Sequence, residues 1–457
     1  MDSKQTKTMN NIVDQVKCLS ISSPSKDLEM LNLIEENVTE DPMKHGIRKS
    51  HTMEVNGKTL ELFCSDNPPQ TPLEHQVRGV VFSGSKMILQ GFPYSNEQII
   101  TEKSTEEEIS FLYKNNDWTI TEAIEGTLIR IFYFNDKWII TTHRKLDAFK
   151  SKWGSEKSFG DIFKEAVMIK TQDSQINDDV DVNTLCQKLG LNKHRQYTFL
   201  ITATDKTRFV CPSTPIPIVY LYAITEKINN KTTIINENDS EMKKWNDWKQ
   251  ESLHLKAPEA IQFVQNLSFP FKCQGLLFFN SKTFESYKLV NKTYQEYFDV
   301  RGNIPSVPFA YLHILGNKNK IQMFKQMISE KDIETIEKYE KTIQELIVEL
   351  HNLYLKRYVE KDTEMKTDKS KHKFLLGLHE WFKNQREKCV STGAIPKIRV
   401  TQNVVSKILL ESDPPVINRL IKEKINPSSP TSLSPPSSNN NSPVRSPIRM
   451  SNQNVTG

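Results

Sequence analysis

Residues 118–160 read WTITEAIEGTLIRIFYFNDKWIITTHRKLDAFKSKWGSEKSFG, and this pattern decides the fold. Two runs rich in β-branched and aromatic residues, TLIRIFYF and KWIITTHRK, flank Asn135-Asp136. Strand side chains alternate between faces, and Asn and Asp tolerate the left-handed backbone of a two-residue turn. The stretch therefore predicts a β-hairpin. Glu125-Gly126-Thr127 stands at one end of it and His143-Arg144-Lys145 at the other. An acidic-glycine turn and a basic cluster then belong to one small sheet.

Short alternating runs continue on both sides, from His51 to about Leu315: HTMEV, KTLELFC, GVVFSG and KMILQGF before the hairpin, then YTFLITA, IPIVYLYAI and CQGLLFFN. Turn residues separate them at short intervals, which predicts antiparallel sheet. Helices are expected at 182–189 and 258–267, where Pro258 suits a first turn. From Lys320 the period changes. Ile333, Ile336, Ile343, Leu346, Ile347, Leu350, Leu353 and Tyr354 form an i, i+3, i+4 stripe with charges on the other face,. Further helices are expected at 371–388 and 401–411. Trp245, Trp248 and Trp381 fit helix-to-core anchors better than base-stacking platforms. The class is α+β: a sheet domain over residues 46–315, then a helical domain over 316–424.

The two ends differ from this body. Residues 1–45 are polar and expected to be flexible. Residues 425–457 are Pro/Ser/Asn-rich, too poor in apolar surface to fold, and expected to be disordered,. Ser429-Pro430, Ser434-Pro435, Ser442-Pro443 and Ser446-Pro447 lie there. The tail is either a solvated segment or one phosphorylated by a proline-directed kinase, which would turn it acidic.

Composition narrows the function classes. With 457 residues, 37% hydrophobic and 26% charged, the chain has room for two or three domains,. A net charge of +5 permits a nucleic-acid partner without requiring one,. Cys18, Cys64, Cys186, Cys211, Cys273 and Cys389 form no C-x-x-C pair, which excludes a zinc ribbon and a disulfide scaffold and fits a reducing compartment,. There is no signal-peptide core and no apolar run of bilayer length, so the expectation is no membrane partner and a cytoplasmic or nuclear location. The chain has no Walker A loop, no G-x-G-x-x-G and no H-E-x-x-H, and no Gly-rich elbow frames a cysteine beside His143 and Asp147,.

Six short motifs follow one another along residues 75–305: Arg78-Gly79-Val80-Val81-Phe82, Phe92-Pro93-Tyr94-Ser95-Asn96-Glu97, Glu125-Gly126-Thr127, Arg144-Lys145, Gln274-Gly275-Leu276-Leu277 and Lys288-Leu289-Val290. Each is weak alone. In this order and spacing they resemble the phage-type RNA ligase 1 family of covalent nucleotidyltransferases. The resemblance implies a nucleotidyltransferase-like mixed antiparallel sheet domain that uses ATP and Mg²⁺ and acts on RNA ends. It implies that Glu125 faces the ribose, that Gly126 lets backbone approach the nucleotide, and that Arg78, Arg144, Lys145 and Lys288 face phosphates. Lys152, in a loop where Lys145, Lys150 and Lys157 surround Trp153 and Gly154, joins this set as a candidate phosphate and base contact. A second cluster, Lys288, Lys292 and Arg301 with Tyr287, Tyr294 and Tyr297, is expected close by.

The departures from the family pattern point one way. Ala123 stands where the nucleophilic lysine belongs, two residues before Glu125. Pro93 stands near a second lysine position, Gln274 replaces the metal-facing carboxylate, and Val290 replaces the last motif's second lysine. Alanine offers no nucleophile. Two function classes remain: an RNA end-joining enzyme, or a non-catalytic descendant that binds RNA, a nucleotide or a protein, the last through the helical domain. Ala123 favours the descendant. A plainer reading also stands, with Glu125-Gly126 as an edge-strand bulge and Arg144-Lys145 as a solvated strand end. The Asn/Lys-rich composition and Ser-Pro tail are similar in style to proteins of large eukaryotic DNA viruses.

Overall fold

The computed structural model describes residues 45–65, 69–114, 117–177, 179–202, 210–228, 231–362, 364–391 and 398–426. The expected flexible N-terminal segment, except its last residue, and the tail from residue 427, with its Ser-Pro pairs, lie outside the described residues; Ile425, counted with the tail, instead ends a helix. The chain divides into two compact units, Met1–Tyr339 and Glu340–Gly457.

The first unit is built on three sheets. The first joins β1 (Ile47–Val55), β2 (Lys58–Ser65), β3 (Arg78–Ser83) and β4 (Lys86–Leu89) in that order, all antiparallel. The chain then supplies β5 (Asn96–Ile100) and β6 (Trp118–Glu122) to a second sheet. It continues with β7 (Thr127–Phe134), β8 (Lys137–Thr141), β9 (Arg195–Ile201), β10 (Val219–Ile228) and β11 (Lys231–Ile234), which form a third sheet ordered β11-β10-β9-β7-β8. Finally β12 (Gly275–Asn280) and β13 (Ser286–Asn291) return to complete the second, ordered β5-β13-β12-β6. The class is α+β with predominantly antiparallel sheets, as the alternating runs predict. One pair departs: β13 and β5 run parallel.

The hairpin forms as the sequence dictates. Phe134 pairs with Lys137, and Asn135 and Asp136 take φ of 45° and 65°, the left-handed turn that matches strand twist,. Both faces are covered. Ile129, Ile131, Trp138 and Ile140 enter one core with Phe163, Tyr197, Phe199 and Trp245. Phe132 and Ile139, on the opposite face, pack against Leu60, Leu62, Val81 and Leu89 of the first sheet. Arg130 shares that second face and is buried; its guanidinium donates to the Gly79 carbonyl and, at 2.7 Å, to the Thr142 carbonyl. Burial lowers its pKa to about 10, which leaves it charged at neutral pH,. Gly79 is required here: at φ +79° a Cβ would lie 2.8 Å from both the Arg130 guanidinium and His143 Cα,.

The basic stretch after the hairpin is not all loop. Helix Phe159–Thr171 follows it, started by a capping box in which Ser158 and Asp161 exchange hydrogen bonds,. Trp245 is fully packed in the same core and Trp248 lies against it, as anchors should. The expected helices appear as Val182–Lys188 and Ala257–Gln265. In the second unit the stripe residues Ile343, Leu346, Ile347, Leu350 and Tyr354 are buried on helix Glu330–Tyr354, which also spans the division between units. Helices Lys369–Ser391, Gln402–Leu410 and Pro414–Ile425 complete that unit. Among the described residues no helix is long and apolar enough to cross a membrane.

Candidate functional site

The chain leaves β6 and enters β7 through Ala123-Ile124-Glu125-Gly126, and this crossover forms a wall of a cleft of about 1780 Å³. The β6–β12 ladder carries on past Glu122. Ala123 N–H donates to the Gly275 carbonyl at 2.9 Å, and its own carbonyl accepts from Gln274 N–H at 2.9 Å. Ala123 is therefore fixed beside Gln274, only 2% exposed. Gly126 is fixed by close approach: a Cβ would stand 2.5 Å from the Ile201 carbonyl oxygen and 2.6 Å from the Leu200 side chain.

The cleft brings together Arg78, Ala123, Glu125, Gly126, Gln274 and Lys288 from motifs far apart in sequence. It does not bring Arg144, Lys145 or Lys152 to its lining. A tight turn after β8 explains this. Thr142 N–H donates to the Lys145 carbonyl at 2.9 Å, while Thr142 Oγ1 accepts from the Arg144 and Lys145 amides. Buried Leu146 then anchors the loop, and the Lys145 ammonium acts on His51, which burial chiefly and this charge in part hold below its ordinary pKa. Lys152 bonds back to the Glu156 carbonyl within its own loop. The expected second cluster also divides. Lys288 and Tyr294 reach the cleft, Lys292 lies 3.7 Å from Glu296, and Arg301 is buried between the Trp153 and Phe324 rings. Arg301 was expected in the cluster by the site, and only the packing of distant aromatics shows it buried instead.

Charge in the cleft is largely compensated. Lys288 meets Glu97 at 3.0 Å and Gln274 Oε1 at 3.5 Å. Lys282 pairs with Asp117, and Glu122 pairs with Lys272 at 2.6 Å. Arg78 differs: among the described residues it makes no ion pair. Its guanidinium lies 5.2 Å from the Tyr94 ring centroid, and its Nε is buried without a hydrogen-bond partner. His75, another lining residue, is held below its ordinary pKa by burial and by Arg78, so it adds little positive charge at neutral pH.

Glu125 is engaged by the protein itself. The buried carboxylate accepts from Val210 N–H at 3.0 Å, from Cys211 N–H at 3.2 Å and from the Tyr294 hydroxyl. Burial, then the neighbouring carboxylate, drives the Tyr294 pKa upward, so the hydroxyl stays protonated and donates,. Sequence order named Glu125 but not this tie, because its donors lie 85, 86 and 169 residues away. Among the described residues no group of three or more His, Cys, Asp or Glu could hold a metal ion.

No protein-family model matches the chain. It is 96% identical over 454 residues, 98% of its own length and 100% of the relative's, to the immediate-early protein ICP-46 homologue of Invertebrate iridescent virus 6. It is 31% identical over 287 residues, 62% of this chain and 60% of the relative, to the namesake protein of Invertebrate iridescent virus 3. Among solved structures it overlaps an archaeal ATP-dependent RNA ligase with TM-score 0.38 and 14% identity, covering 67% of this chain and 76% of that one. A putative ATP-dependent DNA ligase from Aquifex aeolicus gives TM-score 0.37 and 14% identity, covering 64% and 71%. A Naegleria gruberi RNA ligase mutant with ATP and Mn gives TM-score 0.29 and 14% identity, covering 57% and 82%. Overlaps this loose identify neither a shared site nor a shared activity.

Proposed function

Because the chain belongs to the family of immediate-early ICP-46 homologues of invertebrate iridescent viruses, we propose what its cleft does there: it is a degenerate RNA ligase 1-type nucleotidyltransferase site that binds a nucleotide or an RNA end without a covalent step. Ala123 carries this reading. Five of the six motifs reach one cleft, and in this reading a methyl group occupies the position where an amine would attack the α-phosphate. A phosphoramidate needs a nitrogen lone pair, and alanine has none.

The remaining groups suit binding. Arg78 offers a phosphate a half-buried guanidinium that makes no ion pair among the described residues,. Tyr222, Phe279 and Phe284 line the same cleft and give a base an apolar wall,. The residues do not suit the divalent ion that the ligase reaction uses. Mg²⁺ favours charged oxygens, whereas Gln274 presents a neutral amide and Glu97, Asp117 and Glu122 are each held by a lysine.

Titration calorimetry with ATP and AMP, with and without Mg²⁺, tests the proposal. The expected result is binding that Mg²⁺ leaves within about twofold and that Arg78→Ala weakens about tenfold, the loss of one charge-assisted contact. Affinity that requires Mg²⁺, or that ignores Arg78, contradicts it.

A further inference from the structure

The second unit carries a feature that the cleft does not use. Helix Glu330–Tyr354 runs into a π-helical turn, Leu355–Val359, a form often found at functional sites,. That turn presents Tyr358 to His379 of helix Lys369–Ser391. The two rings stack 3.9 Å apart with planes 8° from parallel, and Phe382 extends the ladder 6.1 Å beyond His379 at 23°. All three side chains are half-buried, so each keeps part of its ring in solvent. Burial and then Lys383 hold the His379 imidazole below its ordinary pKa, which makes it an uncharged ring at neutral pH. The Tyr358 hydroxyl is buried and has no partner.

Cations frame the ladder. Arg357 lies 6.0 Å from the Tyr358 centroid and Arg386 lies 5.9 Å from the Phe382 centroid, with Lys383 exposed one residue on from Phe382. Among the described residues none of the three makes an ion pair. Lys371 and Lys424 of the same unit behave differently, since both are tied to Glu349. Partly exposed rings beside cations that make no ion pair match the chemistry of a polyanion with flat bases. An acidic peptide would use the cations and leave the rings idle.

We propose that Tyr358, His379 and Phe382, with Arg357, Lys383 and Arg386, form a binding surface for single-stranded nucleic acid, the bases stacking on the ladder and the phosphates meeting the cations. The surface is independent of the cleft, so it stands whether or not the cleft binds nucleotides. The full-length protein is titrated against a fluorescein-labelled 12-mer of uridine, with anisotropy as the readout. Phe382→Leu, which keeps most of the apolar volume, and the exposed pair Lys383→Ala with Arg386→Ala should each weaken binding about tenfold. Polyglutamate of equal charge should not displace the 12-mer. Unchanged binding in both helical-unit variants overturns the proposal. Displacement by polyglutamate as effective as by unlabelled 12-mer assigns the surface to an acidic protein segment and overturns it too. Melting curves of each variant establish that a loss of binding is not a loss of fold.

Discussion

Glu125 holds three segments together at the crossover between two sheets, and its chemistry decides what the cleft can offer a ligand. Its Oε1 takes two backbone amides and a tyrosine hydroxyl, so that oxygen has little acceptor capacity left for a ligand,. Glu125→Ala should cost on the order of 3 kcal/mol in urea unfolding, because buried donors lose their acceptor. Tyr294→Phe should cost about 1 kcal/mol, since the partner carboxylate keeps other donors. If Glu125→Ala melts like the parent but loses nucleotide affinity, the residue serves the ligand and the structural reading fails. The sequence showed the Glu125-Gly126 turn and the missing lysine at Ala123. It could not show Arg130, a charge in an apolar run whose partners are the distant Gly79 carbonyl and that of Thr142.

At the scale of elements, local patterns were legible and long-range pairings were not. Alternation and an Asn-Asp turn specify the β7–β8 hairpin, Thr127 to Thr141, within one continuous stretch, and the observed register follows. The parallel partner of β13 is β5, about 190 residues earlier, and no local pattern encodes that choice. Helix Phe159–Thr171 was legible in principle, because Ser158 and Asp161 have capping-box spacing, but the dense lysines before it suggest a basic loop. The basic cluster fell outside the cleft for a related reason: a strand's end does not fix the direction of the loop beyond it. The i, i+3, i+4 stripe gives a quantitative test. Leu346 is 0% exposed, so Leu346→Ala should cost on the order of 2–5 kcal/mol in chemical denaturation,. An unchanged midpoint would remove Leu346 from the core. Glu349 gives a second test in the same unit. Burial opposes its charge, but hydrogen bonds from Lys371 and Lys424 prevail, and its pKa is lowered in the folded state. A lowered carboxyl pKa contributes stability above the unfolded value and loses it as pH falls through the folded one. Glu349→Gln should therefore be less stable than the parent at pH 7, by on the order of 1 kcal/mol. The two melting curves should converge below about pH 4. A gap that persists into acid would mean that packing, not charge, sets the difference.

Across the whole molecule, cations are distributed unevenly between tied and untied positions. In the cleft most lysines answer a carboxylate, so under the proposed function Arg78 is the group that draws a phosphate, which predicts a shallow dependence of nucleotide affinity on salt,. A slope corresponding to many released counterions would mean that the paired lysines open on binding. Motif order pointed to residues from distant segments that line one cleft, while the compensation of its charges was visible only in three dimensions. The central claim is that the cleft keeps a nucleotide's shape without its covalent chemistry. The most direct measurement incubates the full-length protein with α-labelled ATP and Mg²⁺, then compares label retained on a native filter with label retained after acid denaturation. The account predicts retention on the native filter and none after acid. Label that survives acid would show a covalent adduct on another residue and contradict the assignment of Ala123 as a site that has lost its chemistry.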